Sequence, residues 1–180
     1  MSRAQDTKQK ILEAAREVFA EQGFAKGSVE MIARKAGVSK TLVFWYFKNK
    51  DQLVEEVIKT IIPSKIVEKC MNNDVKGIEM IDCLVDSYYK FLEDDVNRKL
   101  TFHLLDLAVT NDKYRETYEA FCEVDLKKII EKVLCREAGE KEMVMARAIH
   151  GTILCNIAAG MRKEAVKEAL KELFKNVMSC

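Results

Sequence analysis

The chain of 180 residues holds 30 Lys and Arg against 29 Asp and Glu, a net charge of +1, with 48% hydrophobic and 33% charged residues. That balance excludes a wholly disordered chain, and one Pro with seven Gly leaves little turn punctuation for a sheet protein. No apolar run reaches the roughly 18 residues a membrane span needs, and the polar N-terminus has no signal-peptide core, so a cytoplasmic, all-α protein is expected.

Residues 7–22 read as an amphipathic helix, with Ile11, Ala15, Val18 and Phe19 at helical spacing. Asp6 with Gln9 resembles a capping box, and Gly23 is a plausible stop. Ser28 can cap a second, short helix carrying Met31, Ile32 and Lys35 that ends at Ala36-Gly37. Ser39 can cap a third, from Lys40 to Phe47. Asn49 with Gln52 opens a fourth, from Asp51 to about Ile62, which Pro63 breaks or kinks. Helical stretches follow at about 64–71, 77–92, 97–109, 113–135, 141–159 and 164–178. Counting 64–71 as a continuation of the fourth helix gives about nine helices.

Charge is unevenly spread. Residues 1–50 carry a net +5 and residues 51–180 a net −4. A basic end often meets a polyanion, though a solvated surface has the same composition. The six cysteines form no C-x-x-C pair, and most are expected to be small buried hydrophobes.

Two short helices joined by Ala36-Gly37-Val38-Ser39 make a helix-turn-helix pattern. Gly37 suits the left-handed conformation of the tight turn. Ala33 allows close crossing, and Val38 and Val43 can fill the angle between the helices. On a helical wheel Thr41, Phe44, Trp45 and Lys48 share one side, while Val43, Tyr46 and Phe47 can reach a core. The rings of Phe44 and Trp45 suit base methyls and sugar edges in a duplex groove, and Lys48 and Lys50 suit phosphates. Aromatics at helical spacing are equally the mark of a bundle core.

The ordered run of Ile11-Leu12-Glu13-Ala14-Ala15, Phe19-Ala20-Glu21-Gln22-Gly23-Phe24, Ser28, Ile32-Ala33, Ala36-Gly37-Val38-Ser39 and Tyr46-Phe47-Lys48-Asn49-Lys50 with Leu53 resembles the DNA-binding domain of tetracycline-repressor (TetR) type regulators. The resemblance covers about residues 8–54; beyond it only the helical architecture agrees. It implies an N-terminal three-helix helix-turn-helix domain, 1–53, and a helical ligand-binding and dimerisation bundle, 54–180. It implies a homodimer on a pseudo-palindromic double-stranded DNA operator, released by a small-molecule effector. It assigns Lys40, Thr41, Leu42 and Phe44 to base reading, and Trp45, Tyr46, Lys48 and Lys50 to phosphates. A Gly is usual in the family where Thr41 stands, and a Tyr where Phe44 stands, so readout is expected to lean on Thr41 and Lys40.

In the second part Tyr88, Tyr89, Phe91, Phe102, His103, Tyr114, Tyr118 and Phe121 are candidates to line an effector pocket, or to pack a solid core. Such a lining suits a largely apolar effector with one polar handle. For the dimer, Ile149, Thr152, Ile153, Asn156, Ile157 and Gly160 form one stripe, and Val166, Leu170, Leu173 and Val177 another, able to pair across a two-fold axis or to stay inside the monomer. His103 and His150 have no carboxylates or cysteines at ligand spacing, so no metal and no cofactor are expected. With no G-x-S-x-G, H-E-x-x-H, Walker A or G-x-G-x-x-G motif, no enzyme is expected either. A helical protein-binding adaptor is the alternative, and it would lack salt-dependent affinity for duplex DNA.

Overall fold

The structure is a computed structural model that describes residues 3–175. Among the described residues it is built from ten helices and no strands: α1 (Arg3–Lys26), α2 (Val29–Ala36), α3 (Lys40–Tyr46), α4 (Lys50–Ile58), α5 (Pro63–Asn72), α6 (Ile78–Glu93), α7 (Asp95–Thr110), α8 (Asp112–Leu134), α9 (Glu140–Ala158) and α10 (Lys163–Phe174). None of these helices is long and apolar enough to cross a membrane.

Three of the predicted side-chain caps form, whereas Asp6 lies inside α1 rather than at its start. Ser28 accepts from the Met31 N–H at 3.2 Å, Ser39 from the Leu42 N–H at 3.1 Å, and Asn49 from the Gln52 N–H at 2.9 Å. Each oxygen satisfies a donor that the first helical turn leaves without a partner. Gly37 ends α2 in the left-handed conformation, φ 64°, where an L side chain would be strained. At Gly27 the reason is space: a Cβ there would lie 2.6 Å from the Phe19 ring.

Boundaries differ from the sequence reading at both ends of the first helix, which spans Arg3–Lys26 rather than 7–22 and has non-helical backbone at Gly23, and at the end of the fourth. The fourth helix stops at Ile58 rather than near Ile62, and Pro63 opens a separate α5 at its first turn. The residue before a proline is driven out of the α region, and Ile62 sits at ψ 154°.

The helices pack as two units that are not linear segments: residues 1–61 with 94–119, and 62–93 with 120–180. In the first, α1 packs on α2, α4 and α7, and α2 on α3. Ile11, Phe19, Ile32, Val43, Phe47, Leu53 and Val57 are buried there. Arg16 donates to the Thr60 hydroxyl and to the Asn97 side chain, tying α1, the turn after α4, and α7 together. In the second unit α6 is the central helix, packed on α5, α9 and α10. Its Met80, Ile81, Leu84, Val85 and Tyr88 are fully buried or nearly so. Acid–base pairs flank that packing: Asp82 with Lys171, and Asp86 with Lys163 and Lys167.

The cysteine expectation needs correction. Cys122 is buried, but Cys70 and Cys83 form a disulfide, Cys135 is disulfide-bonded too, and Cys155 is an exposed thiol. Cys70 and Cys83 are 13 positions apart in sequence, a spacing with no motif. The packing of α5 on α6 brings their Cα atoms to 5.8 Å, within the usual range for a bridge.

Candidate nucleic-acid interface

Helix α3 has two faces with opposite fates. Val43 and Phe47 are buried at 0% and 1% exposure, and anchor the helix and its C-cap. Phe44 and Trp45 stand out at 42% and 72%, which is unusual for side chains of this size. Lys40, Thr41 and Lys48 are exposed beside them, and Leu42, Tyr46 and Lys50 are half-buried. Trp45 meets Tyr46 edge-on, with ring centroids 4.7 Å apart. Of the eight residues assigned to DNA, six lie on α3, Lys48 lies in the turn after it and Lys50 opens α4, and none is fully buried.

Two of the basic groups have partners invisible in the sequence pattern. The Lys40 ammonium pairs with Glu30 of α2 at 2.5 Å and lies 5.9 Å from the centre of the Phe44 ring. The hydrogen bond from Lys40 holds the Glu30 carboxyl below the usual carboxylate range. The Lys50 ammonium donates to the Ala25 carbonyl at 2.8 Å, and desolvation there lowers its pKa. Lys50 thus braces the end of α1, and a phosphate would have to share it with that carbonyl. Neither partner has helical or strand spacing, so no local signal pointed to them.

The eight pocket candidates divide between the two packing units. Phe102, His103, Tyr114 and Tyr118 belong to the first packing unit, and Tyr88, Tyr89 and Phe91 to the second. The side chain of Phe121 lies outside the described residues. The His103 Nε2 is 3.3 Å from the Ala20 carbonyl, the Tyr114 hydroxyl donates to Asp51 of α4 at 2.7 Å, and the Tyr89 hydroxyl donates to the Met161 carbonyl at 2.8 Å. Burial and the Asp51 charge raise the Tyr114 pKa, and hydrogen bonds from Lys113 and Tyr114 lower that of Asp51.

Tyr88 is the candidate that reaches a cavity. Its Oη lies 2.7 Å from His150 Nδ1. The pair borders a small, half-open space of about 10 Å³ whose other walls are Leu84, Leu126, Ile129, Ala146, Ile149 and Ile153. That is room for about one water. His150 keeps an edge at the surface, yet burial of its ring pushes its pKa down to about 4, so the imidazole is neutral at pH 7. Among the described residues no group of three His, Cys, Asp or Glu side chains could hold a metal ion.

The apolar stripes expected at a dimer interface are partly used within one chain. Ile149, Ile153, Val166 and Leu170 are buried in the second unit. Thr152, Asn156 and Ile157 are half-buried, Gly160 and Leu173 are exposed, and Val177 lies outside the described residues. Large apolar side chains go to the nearest core, and here α6 supplies it. The outward stripe of α9 is instead Val144, Ala148, Gly151, Cys155 and Ala158.

Residues 11–57 match the model of the family described as bacterial regulatory proteins, tetR family. A stretch of 55 residues, 31% of this chain, is 42% identical to the HTH-type transcriptional regulator SrpR of Pseudomonas putida, of which it covers 26%. The chain spans 26 to 55% of the length of the first curated relatives it matches. Salmonella enterica GusR superposes with a TM-score of 0.76 at 20% identity, covering 100% of this chain and 99% of that one. The transcriptional regulator FadR from Bacillus subtilis, solved in complex with stearoyl-CoA, superposes with a TM-score of 0.73 at 22% identity, covering 92% and 96%. Residues 11–57 thus match the tetR family of bacterial regulatory proteins by sequence, and the chain as a whole shares its fold with Salmonella enterica GusR.

Proposed function

We propose that the chain is a ligand-responsive transcription regulator, a repressor that binds a pseudo-palindromic operator as a homodimer and leaves it when a small, largely apolar effector binds. Residues 1–53 read DNA; residues 54–180 bind the effector and dimerise. One observation carries the reading: Phe44 and Trp45 are exposed on a helix anchored from beneath by Val43 and Phe47. A duplex groove uses such rings, with Lys40, Thr41, Leu42 and Phe44 at base edges and Trp45, Tyr46, Lys48 and Lys50 at phosphates. FadR, with its stearoyl-CoA, supports an effector with a long apolar part.

For the homodimer, the small side chains outward on α9 favour close helix approach, with Leu173 of α10 alongside. Gly151→Arg should then give a folded monomer by sedimentation, and a dimer that survives this change does not use that face. DNA reading is tested on duplex sequence pools across a salt series. Lys40→Ala should change base preference, with about 1–3 kcal/mol at stake for a good base contact. Lys50→Ala should weaken all duplexes alike and flatten the slope of log affinity against log salt by about 0.9. A folded dimer whose affinity for duplex DNA ignores both changes is not this kind of regulator.

A further inference from the structure

The two sulfurs of the α5–α6 disulfide have unequal surroundings. Cys70 has no exposed surface, and its Sγ accepts a hydrogen bond from the Ser87 hydroxyl at 3.2 Å; a disulfide sulfur carries no proton, so the hydroxyl is the donor. The Lys132 ammonium holds the carbonyls of Cys70 and Met71, fixing the end of α5. Cys83 is half-buried and stands in the wall of an open cleft of about 670 Å³, a volume that admits a small molecule. Lys69, Lys90 and Glu79 line the same cleft, while its Asp82 and Asp86 are engaged by lysines of α10.

Thiol–disulfide exchange begins when a thiolate attacks a sulfur it can reach, and the other sulfur leaves. We propose that Cys83 is a thiol-exchange site at which a low-molecular-weight thiol opens the bond between α5 and α6. The incoming thiolate bonds to Cys83 Sγ, the S–S bond breaks, and its electron pair departs on Cys70 Sγ, where the Ser87 hydroxyl already donates a hydrogen bond. Lys69 and Lys90 favour the thiolate form of the attacker. A second thiolate attacks the small thiol's sulfur in the mixed disulfide and releases Cys83 as the leaving thiolate. Two small thiols are thereby oxidised to one disulfide, their two protons pass to Cys70 and Cys83, and the protein disulfide is reduced. The reverse reaction, with the small disulfide as oxidant, closes the bond again.

Disulfides in the reducing compartment that holds DNA are characteristically exchangeable rather than permanent. α5 follows α4 after a short turn, so the bond sets how firmly the segment after the DNA-reading module is tied to α6. That consequence rests on the function proposed above; the exchange site does not.

The oxidised full chain is treated with reduced glutathione, quenched over a time course, and its adducts are mapped by mass spectrometry. The mixed disulfide should fall on Cys83 in roughly tenfold excess over Cys70. With oxidised glutathione, Cys70→Ser should accumulate a stable Cys83 adduct, while Cys83→Ser is modified far more slowly. The ratio in the unsubstituted chain keeps the test independent of how the variants fold. Equal modification, a preference for Cys70, or recovery of both cysteines as thiols after equilibration with oxidised glutathione overturns the assignment. Adducts on Cys83 in a chain that binds no duplex in either state uphold the site and overturn the proposed function alone.

Discussion

Helices α3 and α9 both carry apolar residues in excess of what one buried face needs, and they dispose of the excess in opposite ways. α3 buries Val43 and turns the larger Phe44 and Trp45 to solvent. α9 buries Ile149, Ile153 and Leu154 and turns Ala148, Gly151, Cys155 and Ala158 outward. Exposed rings on a firmly anchored helix have no use in the fold itself, so they mark a surface that something else covers. Exposed small residues leave the fold undisturbed and permit close approach of another helix. The two patterns look alike as hydropathy and differ only in side-chain size at the exposed positions.

The sharpest way to break this comparison is to truncate one residue on each face. Phe47→Ala should lower unfolding free energy by about 3–5 kcal/mol in urea titrations, because it opens a cavity in the first unit. Trp45→Ala should stay within about 0.5 kcal/mol while weakening duplex binding. Equal losses of stability would show that the exposed face is structural. Ile153→Ala on α9 should behave like Phe47→Ala in sign, at about 2–5 kcal/mol.

A second effect belongs to the second unit and has a defined pH window. Burial lowers the His150 pKa from its ordinary 6.5 to about 4 in the folded chain, so the unfolded chain binds the extra proton between those values. Its contribution is therefore absent as a penalty above pH 6.5, and stability falls as pH drops from about 6.5 to 4. The loss is about 3–4 kcal/mol at most, at 1.36 kcal/mol per pKa unit. His150→Gln should flatten that part of a stability–pH curve measured by denaturant titration. An unchanged curve would mean that the imidazole is not held neutral by its surroundings.

Smaller effects sharpen the view of the helix-turn-helix. Ser39→Ala removes the cap of α3 and should cost about 1 kcal/mol by thermal unfolding, with duplex affinity falling alongside. Glu30→Gln removes the partner of Lys40 at an exposed pair, so stability should not change measurably. Duplex affinity should rise at low salt, since a negative charge leaves the reading surface and Lys40 is released.

Legibility in the sequence followed the range of the interactions. Ser28, Ser39, Asn49 and Gly37 were readable because a cap joins residues three or four apart, and each did what its position implied. Phe44 and Trp45 were readable because two anchors one turn apart, Val43 and Phe47, fix which way the rest of α3 must face. The end of α4 was misjudged because hydropathy continued through Ile61 and Ile62 while the backbone obeyed Pro63.

Sequence alone determined an all-helical chain, most of its caps and turns, the exposed face of α3 and the tetR-family match of residues 11–57, all of which depend on contacts within a few residues or on an ordered motif. Only the tertiary structure decided that Ile149, Ile153, Val166 and Leu170 close the chain's own core, and that Lys40 and Lys50 already have partners in Glu30 and Ala25. It also decided that Tyr88 meets His150 and that Cys70 meets Cys83. Such pairings depend on which helix arrives beside which, and a periodic pattern states that a face must be covered without naming what covers it.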